Sequence, residues 1–344
     1  MSRVSDIQNF IIIACHTFFL KENKGVKISN HLKWIAGRPY IYMVLLIMLI
    51  SCTGSGTRKI NETPTSGDIK IIADESFQPL IDTEIRTFTA LYRYAKIRPV
   101  YKPEVDVIND FMNDSVKVIV TSKKLTEDQI KYLRDTLIVA RTTAFAWDAL
   151  ALITNKENYD TLLKYDVVKD IFLGKITRWN EIKPNSPLGE ISVIFDNTKS
   201  GNIRYFKEKF GITEKLGSNF FAVNSNEQVV DYVTKNKNAL GIVSVNWISD
   251  KNDSVARSFI KKVNVEAISQ PYLTDEFYYR PDQGWIYDKT YPFVREIYLI
   301  SRETFSGLGS GFVQWACGEK GQRIVLKSGL VPATMPIRLV QIKK

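Results

Sequence analysis

The chain has 344 residues, of which 44% are hydrophobic and 24% charged, and this composition is typical of a globular protein of about two domains. Its net charge of +10 includes an excess in residues 1–51, which hold six Lys and Arg against two Asp and Glu. The remainder is mildly basic and has no dense Lys and Arg tracts, which argues against a nucleic-acid partner.

Residues 1–51 are predicted to be a signal peptide. The uncharged apolar run Tyr40–Ser51 follows Lys33 and Arg38, and it is shorter than the roughly 20 residues that span a bilayer. It therefore fits the hydrophobic region of a secretory signal. About 30 residues precede Lys33, which is long for such a leader, and one hypothesis is that translation begins downstream of Met1.

The leader ends in the letters LISC, at Leu49–Cys52. This stretch resembles the bacterial lipobox, and the resemblance implies cleavage before Cys52 and lipidation of its thiol. The other interpretation is a short anchor helix with a chance cysteine. Residues 52–67 are rich in Gly, Ser and Thr and are predicted to be a flexible tether. The tether would attach an exported bacterial lipoprotein to the periplasmic side of a membrane.

Once the leader is removed, the chain has no histidine, because His16 and His31 are the only two. Catalysis by a Ser-His-Asp or Cys-His arrangement and zinc sites with histidine ligands are thereby excluded. Cys317 would be the one remaining thiol, so no disulfide can form within the processed chain. We expect no enzyme, no catalytic residue, no metal and no cofactor, and a carboxylate- or metal-dependent hydrolase is the enzyme alternative.

From Asp68 onward, apolar runs typical of buried strands alternate with segments of helical spacing. This alternation predicts an α/β protein with largely parallel sheets. In chain order the predicted elements are a strand at 68–74, a helix at 77–95, a strand at 116–122, a helix at 126–136, strands at 145–155 and 191–195, helices at 203–210 and 226–236, strands at 239–247 and 295–301, and a helix around 312–329.

Three predicted strand-to-helix junctions carry a serine hydroxyl, at Asp74–Phe77, Thr121–Thr126 and Lys199–Asn202. In sheets of this kind, ligands bind beyond the carboxyl ends of the strands, where helices begin. The free N–H groups of a helix start suit an anion. Ser and Thr are also ordinary helix caps that contribute about 1 kcal/mol. Taken together, the three junctions favour an anion site.

Six stretches then give the chain a family resemblance. The stretches AFAWDALALITN, IFLGKITRWNEI, SGNIRYF, GIVSVNW, YPFVREIYLIS and GEKGQRIVLKSGLVPA occur in the order found in the phosphate-binding proteins of bacterial phosphate ABC importers. The resemblance covers nearly all of residues 68–344, and Phe172–Ile182 is its most specific part, in which Trp179 is expected to pack. It implies a type II periplasmic-binding fold, in which two α/β lobes joined by two crossing segments close on an oxyanion.

The resemblance also implies lobe boundaries and a site. Lobe 1 would consist of residues 68–147 and about 265–344, and lobe 2 of residues about 148–264. The family holds its anion with hydroxyls and backbone N–H groups at helix N-termini, beside an Arg and an Asp. In this chain the matching positions are Ser76, Phe77, Ser122, Ser200, Gly201 and Asn202.

The chain departs from the family pattern at several of these positions. Asp196 stands where the family commonly has an Arg, and a carboxylate there would repel a phosphate dianion. Asn202 takes the place of a Thr, and Lys123 that of an Arg. The missing positive charge would come from Lys199, Arg204 or Lys123, each of which can equally be a surface residue. A selectivity role for Asp196, as an acceptor that favours hydrogen phosphate over sulfate, is one hypothesis.

Asp148 lies within an apolar strand, where a carboxylate without partners is costly. It would orient the backbone at the hinge between the lobes or face the cleft. Together these features predict a lipid-anchored receptor that captures an oxyanion, first of all phosphate, and delivers it to an ABC permease. The alternatives are a receptor for another oxyanion, such as sulfate or molybdate, and a non-transporting sensor or scaffold that kept the fold.

Overall fold

The computed structural model describes residues 62–159, 161–250, 253–271 and 277–336. The predicted leader, Cys52 and the predicted tether as far as residue 61 lie outside the described residues. Within the described ranges, no helix is long and apolar enough to cross a membrane.

Strands and helices alternate along most of the described chain, and two short 3-10 turns lie at Glu75–Phe77 and Val245–Trp247. The strands are β1 (Gly67–Asp74), β2 (Ala95–Lys102), β3 (Val118–Thr121), β4 (Arg141–Asn155), β5 (Leu162–Leu163), β6 (Ser192–Phe195), β7 (Phe220–Ala222), β8 (Ala239–Ser244), β9 (Val263–Val265), β10 (Ala267–Ser269), β11 (Tyr278–Tyr279), β12 (Val294–Ser301) and β13 (Val331–Pro332). The helices are α1 (Gln78–Leu91), α2 (Glu104–Met112), α3 (Glu127–Asp135), α4 (Tyr165–Phe172), α5 (Trp179–Ile182), α6 (Gly201–Phe210), α7 (Asn226–Lys235), α8 (Ser254–Lys262), α9 (Gln283–Tyr287), α10 (Leu308–Ala316) and α11 (Glu319–Lys327).

One large sheet organises the described chain. Its strands follow the order β2-β1-β3-β12-β4-β8-β6-β7, and β9 and β13 also pair with β4. The first part of the 15-residue strand β4 pairs with β12, and its second part pairs with β8. Strand β4 therefore belongs to both halves of the large sheet, since it connects β12 on one side with β8 on the other. A smaller sheet has the order β11-β10-β5.

The prediction of largely parallel sheets is right only for the two ends of the large sheet. There, β1 lies parallel to β2 and β3, and β6 lies parallel to β7 and β8. In the middle, β4 and β12 pair antiparallel with each other and with their other neighbours. The central strands are buried along most of their length, so they show the same continuous apolar pattern as parallel strands.

Helix α1 shows why the predicted helices form. Ile81, Ile85 and Phe88 recur at helical spacing, and all three are buried in the main hydrophobic core. Burying each of these side chains contributes roughly 1.5–3 kcal/mol. The helix ends at Leu91, earlier than predicted, because Ala95 already begins β2.

Two elements that later matter for the site have little signal in the sequence. Strand β2 is polar at several positions and contains Pro99, which is tolerated because β2 lies at the edge of the sheet. Helix α2 begins directly after Pro103 with Glu104.

The predicted helix around 312–329 is instead two helices, α10 and α11, which are separated by Cys317 and Gly318.

Helix α1 also buries a carboxyl group. The side chain of Glu84 is fully buried, and neither of its oxygen atoms has a hydrogen-bond partner. Burial raises its pKa to about 9. Between the ordinary pKa of glutamate and about 9, Glu84 is protonated in the folded protein and ionised in the unfolded chain. Glu84 therefore lowers the free energy of unfolding, and it does so increasingly as the pH rises towards 9.

We predict that Glu84→Gln, which keeps the shape and removes the titration, becomes progressively more stable than the native protein between pH 5 and pH 8. The difference should grow by at most about 1.4 kcal/mol for each pH unit. Urea denaturation at the two pH values measures it. The exposed Glu319 provides a control, because the difference in unfolding free energy between Glu319→Gln and the native protein should hardly change with pH. The prediction is wrong if the difference for Glu84→Gln is equally independent of pH.

Candidate ligand-binding site

The first serine junction lies directly after β1. The Ser76 amide N donates to Asp74 Oδ1 at 3.0 Å, which bends the chain into the 3-10 turn that precedes α1. Asp74, Ser76 and Phe77 are fully buried. Asp74 Oδ2 has no hydrogen-bond partner, so one acceptor of this carboxyl group remains unused.

The third serine junction caps helix α6. Ser200 Oγ accepts a hydrogen bond from the Ile203 amide N at 3.4 Å and donates one to Asp196 Oδ1 at 2.7 Å. Asp196 and Ser200 are both 2% exposed. Ser200 is thus a true helix cap, and Asp196, at the position expected to differ from the family, orients the capping hydroxyl.

These two junctions meet in space. Ser76 Oγ donates to Asn202 Oδ1 at 3.1 Å, and Asn202 Nδ2 donates to Asn226 Oδ1 at 3.3 Å. Asn246 Nδ2 in turn donates to the carbonyl O of Ser76 at 3.0 Å. Hydrogen bonds therefore tie the end of β1 to the starts of α6 and α7 and to the turn after β8.

Gly201 lies where the junctions come closest. A Cβ atom placed on it would lie 2.8 Å from Asp74 Oδ2, 2.9 Å from Glu104 Oε1 and 2.9 Å from Ser122 Oγ. Any larger residue would force the ends of these three side chains to move, so the close approach favours glycine here. The predicted positions Ser76, Ser122, Ser200, Gly201 and Asn202 thus lie together, with Phe77 beside them.

Ser122 differs from the sequence-based expectation of a hydroxyl at a helix start. Helix α3 begins five residues later, at Glu127, and Thr126 caps it. The Ser122 amide N and Oγ both donate instead to Glu104 Oε1, at 3.1 and 2.7 Å. Glu104 is 1% exposed, so a carboxylate of the chain itself takes up the donors of this junction.

The positive charges of the site come from two arginines. Arg204 forms an ion pair with Glu104, and its Nη2 donates to Ser122 Oγ at 3.0 Å. Lys199, a second candidate from the sequence, is exposed and forms a surface ion pair with Asp106 at 3.0 Å. For Lys123, the third candidate, the structure records one backbone hydrogen bond, from its amide N to Thr121 Oγ1 at 3.1 Å.

Arg295 is the second arginine, and it pairs with Asp148. Its Nε donates to Asp148 Oδ2 at 2.9 Å, Ser244 Oγ donates to the same carboxylate, and both charged side chains are almost completely buried. The guanidinium also lies 4.9 Å from the centre of the Phe77 ring, a cation–π distance. Asp148 therefore has the partners that a buried carboxylate requires.

Five buried or partly buried carboxyl groups lie in this cluster, and their protonation differs. Burial raises the pKa of Asp74 to about 8, and the charge of Glu104 adds to the effect. Burial likewise raises the pKa of Glu75 to about 7 and that of Asp196 to about 6. For Asp148, burial raises the pKa and the nearby guanidinium opposes the rise.

Glu104 shifts in the opposite direction. Burial alone would raise its pKa, but the hydrogen bonds and charge of Arg204 and the hydrogen bond from Ser122 outweigh burial and hold the pKa below its ordinary value. Near neutral pH, the site thus contains an ionised Glu104 close to a largely protonated Asp74. Within the described ranges, no group of His, Cys, Asp or Glu side chains is arranged to hold a metal ion.

Sequence reasoning missed two residues that control this electrostatic balance. Glu104 follows a strand that has no clear pattern, so nothing placed it near Ser122. Arg295 had a usable signal, because it stands inside the apolar stretch YPFVREIYLIS, where a charge is costly unless it is paired. Like Asp148, Arg295 is a charged residue in an apolar strand, so its pairing with a carboxylate could be predicted from the sequence.

Comparison with known proteins shows a match to a family described as a PBP superfamily domain, over residues 60–320. The phosphate-binding protein PstS of Borreliella burgdorferi is 20% identical over 299 residues, which are 85% of this chain and 96% of the relative. The phosphate-binding protein PstS of Staphylococcus aureus (strain bovine RF122) is 21% identical over 280 residues, which are 80% of this chain and 81% of the relative.

Two solved structures share the fold. One is a protein from Clostridium perfringens assigned to the substrate-binding proteins of phosphate ABC transporters, with phosphate bound. It has a TM-score of 0.66 and 22% identity, over 78% of this chain and 100% of that one. The other is an ABC-type phosphate transport receptor from Vibrio cholerae, with a TM-score of 0.59 and 19% identity over the same shares. The fold is therefore that of the type II periplasmic-binding proteins, as the sequence predicted.

We predict that Arg295→Gln destabilises the protein by about 3–5 kcal/mol, because it leaves Asp148 buried without its charged partner. Chemical denaturation measures this change. Arg323→Gln is the matched control, since Arg323 forms an exposed ion pair with Glu319 on one helix, and it should change the free energy of unfolding by less than about 0.5 kcal/mol. A loss below about 1 kcal/mol for Arg295→Gln would contradict the assigned role of the buried pair.

Proposed function

The chain belongs to the PBP superfamily, and on this premise we propose that it is a solute-binding receptor that captures an oxyanion, first of all phosphate, for an ABC permease. The proposal agrees with the relatives, which are named as phosphate-binding proteins. No catalytic residue is part of it, because a receptor needs only to bind and release its ligand.

The convergence of the junctions at Gly201 carries the proposal. Asp74 Oδ2 and Ser122 Oγ, from the junctions after β1 and β3, lie 2.8 and 2.9 Å from a Cβ atom placed on Gly201, which stands at the junction after β6. Ser76 Oγ also donates to the neighbouring Asn202. Ligands bind at this edge in open α/β sheets. Helix α6 also directs its positive N-terminus towards the same place, which favours a negative charge. We therefore assign anion binding to Ser76, Phe77, Ser122, Ser200, Gly201 and Asn202.

Lobe closure is the proposed means of capture. In this proposal, lobe 1 comprises residues 68–147 and about 265–344, and lobe 2 comprises residues about 148–264. The boundary at 147–148 falls within β4, the strand that both halves of the sheet share, and Asp148 would hold the backbone there through Arg295. Because Ser76 Oγ donates directly to Asn202 Oδ1 at 3.1 Å, a ligand would have to replace this bond. It would then favour the closed state, because only that state supplies donors from both sides.

Membrane attachment through Cys52 completes the proposal. The leader 1–51 would be removed, the Cys52 thiol lipidated, and the first part of the predicted 52–67 tether, as far as residue 61, would serve as a flexible tether on the periplasmic side of a membrane. Its last residues instead belong to the folded part, because Thr63 pairs with Ser66 and β1 begins at Gly67. The lipobox-like sequence Leu49–Cys52 supports this assignment.

We predict that cells fed an alkyne-labelled fatty acid incorporate the label into the native protein and not into Cys52→Ser. Cys317→Ser serves as the control, because Cys317 would be the other cysteine of the processed chain, and this variant should retain the label. Equal labelling of all three proteins would contradict lipidation at Cys52.

The surplus of carboxyl groups supports a second candidate function. Among the described residues, Asp74, Glu75, Glu104, Asp148 and Asp196 lie in one cluster with Arg204 and Arg295. This excess of carboxyl groups is an unfavourable environment for a dianion. A sensor or scaffold that kept the fold without tight binding fits this balance. An anion that does bind must be accompanied by protons, because each added proton removes one repelling charge.

We predict that anion binding strengthens by at least about tenfold from pH 8 to pH 6, because Asp74, Glu75 and Asp196 take up protons in this range. Isothermal titration calorimetry with phosphate, sulfate and molybdate measures this. Sulfate is the informative anion, since its own charge stays constant between these pH values. Asp196→Asn should flatten the dependence and, if Asp196 selects hydrogen phosphate, should also reduce the preference for phosphate over sulfate.

Gly201→Ala tests whether this binding occurs at the proposed site. Its added Cβ atom would collide with Asp74, Glu104 and Ser122, so binding should be lost. Gly189→Ala is the control, because that Cβ atom would meet only the end of the Asn238 side chain, at 3.2 Å. Absence of heat for every anion at both pH values would favour the scaffold, and unchanged binding by Gly201→Ala would place any anion site elsewhere.

A further inference from the structure

We propose that Glu104 lowers the anion affinity of this site, because its carboxylate takes up the donors that a ligand oxyanion would need and competes with any anion that enters. The inference rests on the proposed function, since it concerns the same site. It adds that the native chain binds an anion weakly because the ionised Glu104 already occupies the site. Replacing Glu104 with alanine should therefore make the chain a better anion receptor.

The position of Glu104 is set by the backbone around it. Glu104 is the first residue of α2, and it is 1% exposed, whereas the next residue, Val105, is 44% exposed. The Val105 amide N donates to the carbonyl O of Lys199 at 3.2 Å. This bond joins the start of α2 to the loop that leads into α6, and it turns the Glu104 side chain towards Gly201.

The groups around Glu104 are those that hold an oxyanion. Oε1 accepts from Thr121 Oγ1 at 3.0 Å and from the amide N and Oγ of Ser122 at 3.1 and 2.7 Å. Arg204 donates to both carboxylate oxygens. Two hydroxyls, a backbone N–H and a guanidinium are a complete set of donors for two oxygens of an anion. The chain therefore satisfies with its own carboxylate the donors that a ligand would need.

The carboxylate also lies at the centre of the site and not at its edge. A Cβ atom placed on Gly201 would lie 2.9 Å from Glu104 Oε1 and from Ser122 Oγ, and 2.8 Å from Asp74 Oδ2. A ligand that binds Gly201 and Asn202 must therefore contact Glu104 or displace it. If the ligand contacts Glu104, the two negative charges repel each other at short range. If the ligand displaces Glu104, the ion pair between Glu104 and Arg204 must break.

The same contacts hold the two proposed lobes together without a ligand. Glu104 and Asp106, on α2, pair with Arg204 and Lys199, which lie at the start of α6 and just before it. In a receptor that closes on its ligand, the ligand supplies such bridges. Here Glu104 supplies one of them from within the chain, so Glu104 and a bound anion would compete for the same donors.

The test is calorimetry with phosphate and with sulfate at pH 8 on the native protein, Glu104→Ala and Glu208→Gln. Glu208 is the matched control, because it pairs with the same Arg204 but is 56% exposed and lies outside the site. Glu104→Ala frees Arg204 and Ser122 and should bind both anions at least about tenfold more tightly than the native protein. Glu208→Gln should differ by less than about twofold.

Glu104→Gln keeps the inference testable if the alanine variant does not fold. The amide retains the size of the side chain and removes its charge, so anion affinity should rise in the same direction. Circular dichroism and thermal unfolding establish that each variant is folded. Unchanged or weaker anion binding by the folded variants would overturn the role of Glu104.

The outcomes separate this inference from the proposed function. If the native protein binds no anion and Glu104→Ala binds phosphate, the inference stands and the native chain is not an oxyanion receptor. If the native protein binds phosphate tightly and Glu104→Ala binds it less well, the proposed function stands and the inference fails. Tighter binding by the variant over measurable native binding supports both.

Discussion

The buried ion pair of Arg295 and Asp148 joins the central strands of the large sheet. Arg295 on β12 lies directly opposite Asp148 on β4, and Ser244 at the end of β8 donates to the same carboxylate. Asp148 on β4 thus links β12 and β8, which lie on the two sides of β4. The Phe77 ring beside the guanidinium extends the contact to the end of β1.

This pair also sets the electrostatics of the candidate site. A guanidinium this deep in the fold must be compensated by a carboxylate, and it lowers the cost of ionising Asp74, Glu104 and Asp196 nearby. The site therefore differs from a simple cradle of N–H groups at helix starts. It combines such donors with buried carboxyl groups whose pKa values are raised towards neutral pH, so the proposed anion binding would be coupled to protonation.

Much of the fold could be predicted from the sequence because burial leaves a clear pattern. The periodic apolar residues of α1 and α6 and the apolar runs of β4 and β12 all became the expected element types, and Trp179 is fully buried, as its place in Phe172–Ile182 predicts. Strand direction in the middle of the sheet could not be predicted, because it depends on which distant segments pair.

The candidate site was only partly predictable for a similar reason. Ser76, Ser200 and Gly201 stand at junctions that carry local signals, such as helix capping and the need for glycine. Glu104 comes from the start of a helix that follows an edge strand, and its role depends on contacts with Ser122 and Arg204 that are distant in sequence. Local patterns identify the donors but not the charge that faces them.

Diffraction from crystals soaked in arsenate can decide whether the three junctions form one anion site at Gly201, because the anomalous signal of arsenic locates the anion without prior assumptions. We expect an anomalous peak within hydrogen-bond distance of Ser76 and of the first turn of α6, with the Glu104 side chain displaced. A peak at another place, or no peak in crystals of protein that binds arsenate in solution, would show that the junctions do not form such a site.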